Sequence, residues 1–202
     1  MSVRIYVEGG GDHNKRITDA CRQAFSQFFA KVSPAQARPK VIPGGSRRAT
    51  FDDFCTALKS HPSDFVVLLV DSERPVEVGD TPWSHLHKQP DGWDRPAEAQ
   101  DNQAHLMVQC MEAWLLADCE ETAAYFGDGF LLNSLPGQPN VEHVAKQDLL
   151  QALEHAARPT LKGQYHKTRD GFAILERIDP QKVRTASQHA DRLFQILRSA
   201  PS

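Results

Sequence analysis

The sequence predicts an α/β protein: a mostly parallel sheet flanked by helices, followed by a helical C-terminal extension. Three observations carry this. The first seventy or so residues alternate short apolar runs with helical periodicity. The stretch DFVVLLVD is apolar on both faces, as the central strand of a parallel sheet must be. Beyond about residue 119 the apolar spacing is helical only. The organisation expected is an α/β core over 1–118 and a helical extension packed on it over 119–202.

Taken in order, residues 3–7 (VRIYV) read as a buried strand, and Gly9, Gly10 and Gly11 as its turn. Asp12 is a plausible N-cap for a helix carrying Ile17, Cys21, Ala24, Phe25, Phe28 and Phe29 on one face. SPAQARP is a loop, and KVIPGG a short strand running into a turn. Thr50 can cap a helix with Phe51, Phe54, Cys55 and Leu58 on one side. After DFVVLLVD, Pro75, Pro82, Pro90, Pro96, Gly79 and Gly92 predict a long surface loop over about 74–101. HLMVQ reads as a fourth strand and the chain from about Met111 as a helix; further helices are expected near 141–156, 168–178 and 187–197.

Composition narrows the function classes. Lys plus Arg is 23 and Asp plus Glu is 26, a formal charge of −3, so the chain is no nucleic-acid binder by bulk field. Any phosphate contact must use a local basic patch or metal ions. No secretion signal or membrane-length apolar run is read, and the four cysteines lack CxxC spacing, which predicts reduced thiols in a cytoplasmic protein.

The chemistry lies at the strand ends. Glu8 closes the first strand, Asp71 closes the DFVVLLVD strand, and Glu73 two residues on points to the same side if the chain stays extended. Ligands of open α/β sheets bind at the carboxyl ends of strands. Three carboxylates converging there repel unless a cation sits between them, and hard oxygen ligands suit one or two Mg²⁺ or Mn²⁺ ions. Each acid alone could be a turn former or helix cap. On this reading, removing Asp71 relieves repulsion and costs the metal-free protein no stability. The glycine turn is neither a dinucleotide fingerprint, since Asn14 stands at the third glycine place, nor a P-loop, since GK[ST] is absent.

YVEGGGD followed by LLVDSE resembles the two signature motifs of the Toprim domain, shared by topoisomerases, bacterial primases, small RNA-maturing nucleases, recombination mediators and the overcoming-lysogenization-defect (OLD) nucleases. MVQCMEAWLLAD and YHKTRDGFAILERIDP resemble a small bacterial Toprim-like family encoded beside ATPases of the recombination or SMC type. The resemblance implies a Toprim-like, Rossmann-like fold. It assigns acid/base or metal-binding roles to Glu8 and metal binding to Asp71 and Glu73, although Glu73 stands where the commonest pattern has Asp. It also implies that Lys167 stabilises charge on phosphate, as in OLD-like nucleases. The function it implies is metal-dependent cleavage of nucleic acid, DNA ahead of RNA, in antiviral defence or DNA processing with an SMC- or ABC-type ATPase partner. Homo-oligomerisation stays open.

A second tier of residues follows. Glu112, at the start of the helix after the fourth strand, is placed to add a metal ligand, or merely to complement the helix dipole. Arg47 and Arg48, in a loop before a helix, and Lys162, His166, Lys167 and Arg169 are the candidate phosphate contacts, against the default of scattered surface charge. His85 and His87 lack further ligands at zinc spacing. Two rivals remain: a non-catalytic Toprim assembly module, and a metal-dependent phosphoryl-handling enzyme acting on a small nucleotide.

Overall fold

The computed structural model describes residues 2–11, 14–32 and 38–199. Strands β1 (Val3–Val7), β2 (Lys40–Pro43), β3 (Phe65–Asp71) and β4 (Ala104–Met107) form an all-parallel sheet in the order β2-β1-β3-β4. Helices α1 (Lys15–Ala30), α2 (Arg47–Ser60) and α3 (Pro82–Lys88) lie in the connections. After β4 come α4 (Glu112–Ala117), α5 (Cys119–Phe126), α6 (Lys146–Ala157), α7 (Phe172–Leu175), α8 (Pro180–Ala186) and α9 (Gln188–Ser199). The expected α/β class and helical C-terminal region are what the structure shows.

The two-residue period of β1 and β3 divides their side chains between two cores. Ile5, Val7, Val67 and Leu69 face one side, with α1, α4 and the C-terminal helices; Tyr6, Val66, Leu68 and Val70 face the other, with α2 and α3. The first core centres on aromatics. Phe28 stacks on Trp114 with centroids 5.4 Å apart, and Phe194 of α9 lies 5.8 Å from Phe28. Fully burying one such side chain stabilises by about 1.5–3 kcal/mol, so the last helix is held onto the first by hydrophobic packing. Among the described residues, no helix is long and apolar enough to cross a membrane.

The strand order positions the site. The chain leaves β1 towards β2 on one side and β3 towards β4 on the other. The crevice of this doubly wound sheet therefore opens between the carboxyl ends of β1 and β3. Glu8 and Asp71 meet there: the Glu8 amide donates to Leu69 O at 3.0 Å, continuing the β1–β3 ladder.

Several local expectations need correction. Helix α2 starts three residues before Thr50: Ser46 caps it, its Oγ accepting from Ala49 N at 3.3 Å, and Thr50 donates back to Ser46 O. Arg47 and Arg48 therefore sit in the helix's first turn, not in a loop. The 74–101 segment is no plain surface loop. Pro82 starts α3 behind the Thr81 cap, because proline's fixed φ and missing N–H suit the first helical position. Trp83, Leu86, Trp93 and Ala99 bury themselves in the second core. The helix expected over 141–156 begins at Lys146, after a short three-ten turn (Val141–His143). The one over 168–178 opens as a π-turn (Lys167–Gly171). Helices α5 and α8 were not anticipated. Asp12 lies outside the described residues; Asn14 caps α1.

Candidate metal centre

Glycines let β1 turn away sharply and leave Glu8 facing the crevice. Gly9, Gly10 and Gly11 all have positive φ, and a Cβ on Gly10 would lie 3.0 Å from Pro43 Cβ. Gly9 and Gly45 exchange backbone hydrogen bonds of 3.0 and 2.9 Å, tying the turn after β1 to that after β2.

Asp71 uses its two oxygens differently. Oδ1 accepts from Met111 N at 2.9 Å, fixing the start of α4. Oδ2 faces two ammonium groups, Lys167 Nζ at 3.4 Å and Lys146 Nζ at 3.6 Å. Glu73 does not follow in extended conformation. Its φ is 65°, a left-handed conformation that non-glycine residues seldom adopt. The turn is held by Ser72 N to Met107 O (3.0 Å), Glu73 N to Gln109 O (2.9 Å) and the buried His85 ring against Ser72 O (2.9 Å). It nevertheless returns Glu73 to the cluster: Glu8, Asp71 and Glu73 offer ligand oxygens all within 4.8 Å of one another. A group of acidic residues able to bind a metal ion thus stands at the crevice.

Cations surround it. Arg47 Nη1 donates to Asp71 O at 2.6 Å and lies 3.3 Å from Glu8 Oε2, while its Nε donates to Asp91 at 2.6 Å and its guanidinium sits 4.7 Å over the Trp93 ring. Lys146 Nζ is 2.6 Å from Glu73 Oε2. Lys167 spans Asp71 and Glu112, whose Oε2 is 3.6 Å away. Glu112 is fully buried; Tyr165 OH donates to its Oε1 at 3.3 Å, and its Oε2 has no hydrogen-bond partner. Glu112 therefore lies behind the three outer carboxylates, one lysine away from them.

The electrostatics follow from burial and crowding. Burial and the neighbouring Asp71 charge push the Glu8 carboxyl up to about 7, with Arg47 only partly opposing. Burial also raises Asp71, against the pull of Lys167. Burial disfavours the charged form of Lys167 and of Lys146, but the carboxylates around each outweigh it, so both bind their protons more tightly than a free lysine.

Of the candidate phosphate contacts, Lys167 and Arg47 reach the carboxylates. Arg48 is exposed and pairs with Asp52 in its own helix. Lys162 lies 4.7 Å over the Tyr125 ring. Arg169 donates to the buried Asp170, whose other partners are Tyr125 OH and the backbone N–H of His166. Arg169 and His166 thereby shape the π-turn that carries Lys167. His87, which the sequence leaves without further zinc ligands, is exposed and pairs with Asp94. Lys146 and Tyr165 escaped the sequence reading. The sequence places Lys146 inside a helix expected over 141–156, so its position at the first residue of α6, where the dipole disfavours a positive charge, emerges only in the structure.

Over residues 7–198 the chain matches, and belongs to, the family described as a domain of unknown function, DUF4276. Comparison with curated proteins and with solved structures gives no match.

Proposed function

We propose that the protein is a divalent-metal-dependent phosphodiesterase acting on nucleic acid, with Mg²⁺ or Mn²⁺ held by Glu8, Asp71 and Glu73. The observation that carries this is the convergence of their three hard oxygen donors within 4.8 Å at the switch point of a parallel sheet. The resemblance of YVEGGGD and LLVDSE to the Toprim motifs supports the same reading, and implies an ATPase partner. When bound, such an ion supplies Lewis-acid polarisation of a phosphoryl oxygen and a more acidic water. The chain's own groups do the rest. Where Asp71 and Glu73 hold the ion, Glu8 is free to act as general base and take a proton from the attacking water instead of serving as a ligand. Lys167 holds Asp71 and Glu112 in place and presents positive charge to the non-bridging oxygens. Arg47 fixes Glu8 against the end of β3.

The test incubates pure protein with plasmid, single-stranded DNA and RNA, with Mn²⁺ or Mg²⁺ and with or without EDTA, beside melting curves with and without metal. Metal-dependent, EDTA-sensitive cleavage absent from Asp71→Asn is expected. So is a metal-induced rise in Tm that disappears in the Glu8→Gln, Asp71→Asn double variant. Identical metal shifts in wild type and double variant would place the ions elsewhere and end this reading. A metal shift that depends on these residues, with no cleavage by the chain alone or with its ATPase, would favour the non-catalytic assembly module instead.

A further inference from the structure

The candidate metal ligands already share a cation. Lys146 Nζ is 2.6 Å from Glu73 Oε2 and 3.6 Å from Asp71 Oδ2, so one ammonium serves two of the three carboxylates. We propose that Lys146 is an exchangeable counter-cation of the centre: a divalent ion displaces its ammonium from Glu73, and the released ammonium receives a phosphate oxygen of the substrate. The inference rests on the metal reading above and deepens it, because it links metal binding to anion binding through one side chain.

Two features of the geometry single out Lys146. Its backbone is anchored, and its half-buried side chain lines an open groove beside Glu73. Lys146 N donates to Gln109 Oε1 at 3.2 Å, and Gln109 O accepts from Glu73 N at 2.9 Å, so both chain segments hang on one residue. The ammonium borders an open groove formed by Glu73, Gln109, Ala145, Gln147 and Leu150. Glu73 is also the most exposed of the three carboxylates, its side chain 38% accessible against 4% for Asp71, and can change partners with water at hand.

Lys167 differs on this point. It stands between Asp71 and the fully buried Glu112, whose Oε2 has no hydrogen bond. Moving Lys167 away would strand a buried charge, which is costly. Moving Lys146 strands nothing once a divalent ion has taken its place. A divalent ion and an ammonium on the same pair of carboxylates repel strongly at these separations, so arrival of the ion expels Lys146 rather than adding to it. The freed ammonium is tethered within a side chain's length of the ion, where an anion bridging both gains two favourable contacts. Binding of metal and of phosphate must then favour each other reciprocally.

The experiment titrates Mn²⁺ into the full chain by calorimetry, alone and with inorganic phosphate. It compares wild type, Lys146→Met, Lys146→Gln and Asp71→Asn, with each variant's melting curve recorded; Gln keeps a hydrogen bond to Glu73 without the charge and serves if Met disturbs folding. Both Lys146 variants should bind Mn²⁺ alone at least about tenfold more tightly than wild type, having lost the competing cation. Phosphate should tighten Mn²⁺ binding by wild type clearly more than by either Lys146 variant, in which only the ion and Lys167 remain to hold it. Unchanged or weaker Mn²⁺ binding in the Lys146 variants, or the same phosphate enhancement in all, overturns the exchange while leaving the metal centre standing, provided Asp71→Asn abolishes binding. Wild-type Mn²⁺ binding that is absent, or indifferent to Asp71→Asn, overturns the metal centre and the exchange together.

Discussion

Replacing Asp71 by alanine and by asparagine separates two roles that one carboxylate combines. Relief of repulsion alone would leave any neutral replacement at least as stable as wild type. The structure divides the question. Oδ2 carries the electrostatic burden, and burial raises the carboxyl's proton affinity even against Lys167, so the ionised form is held at a cost. Asparagine removes that cost and keeps an oxygen for the 2.9 Å hydrogen bond from Met111 N. Alanine removes the acceptor as well and leaves a buried N–H unpaired, worth about 1–3 kcal/mol. In metal-free buffer Asp71→Asn should therefore melt close to wild type. Asp71→Ala should lie about 2 kcal/mol below Asp71→Asn, or about 4–8 °C for a chain of this size. Thermal unfolding by circular dichroism in EDTA is the assay. If both variants fall together, the charge and its lysine pairs hold the fold, and the division of labour between the two oxygens is wrong. If both stay at the wild-type Tm, the Met111 contact carries no weight. With Mn²⁺ added, neither variant should gain the stabilisation that wild type gains.

Glu8 gives a pH signature: with its carboxyl raised from 4.5 to about 7, the folded chain binds more protons than the unfolded one between those values. Metal-free stability should thus fall as pH rises through that window, by at most about 3 kcal/mol. Melting curves from pH 5 to 8 in EDTA should be flatter for Glu8→Gln than for wild type, and equal slopes would remove Glu8 as the titrating group. Lys167→Ala should keep Asp71-dependent metal binding but melt below wild type, because the buried Glu112 loses its cation. It should also lower nucleic-acid turnover at temperatures where it is folded, with the loss shrinking at higher salt as the ionic contact is screened; full activity in cleavage assays at two salt concentrations would remove Lys167 from the site. Arg169→Ala should act on stability instead, lowering Tm by about 2–6 °C because the buried Asp170 loses a charged partner, and a wild-type Tm would show that Tyr125 and the backbone suffice.

The strands were legible because their chemistry is local. A run such as FVVLLVD is apolar at every position, and only a buried parallel strand uses both faces that way. Glu8 and Asp71 were legible as strand-end acids, but their contact depends on β1 lying beside β3, which no local pattern states. Proline misled in one place. In the sequence Pro82 reads as a breaker, yet behind Thr81 it starts α3; Asp179 and Pro180 open α8 in the same manner. Lys146 was beyond local reading, since its partner Glu73 stands 73 residues earlier and the two meet only through the end of β4 and the start of α6.

Several local rules are broken at this one place, and the breaches point the same way. Arg47 and Lys146 are the first residues of their helices, where a positive charge opposes the dipole by about 0.3–1 kcal/mol. Lys167 opens a π-turn, Glu73 holds a positive φ, and Glu8 keeps a carboxyl whose ionised form is disfavoured. Buried or half-buried ion pairs add little net stability over apolar packing of the same volume, so stability does not account for the group. A chain that bears these costs within one crevice, while its two cores follow ordinary packing, has them concentrated where chemistry would use them. The charges fit that use. With all groups ionised, Glu8, Asp71, Glu73, Glu112 and Asp91 face Arg47, Lys146 and Lys167, so five negative charges meet three positive ones. On the metal reading, one divalent ion would offset the remaining −2 and leave Lys146 and Lys167 to supply the positive field that a phosphodiester requires.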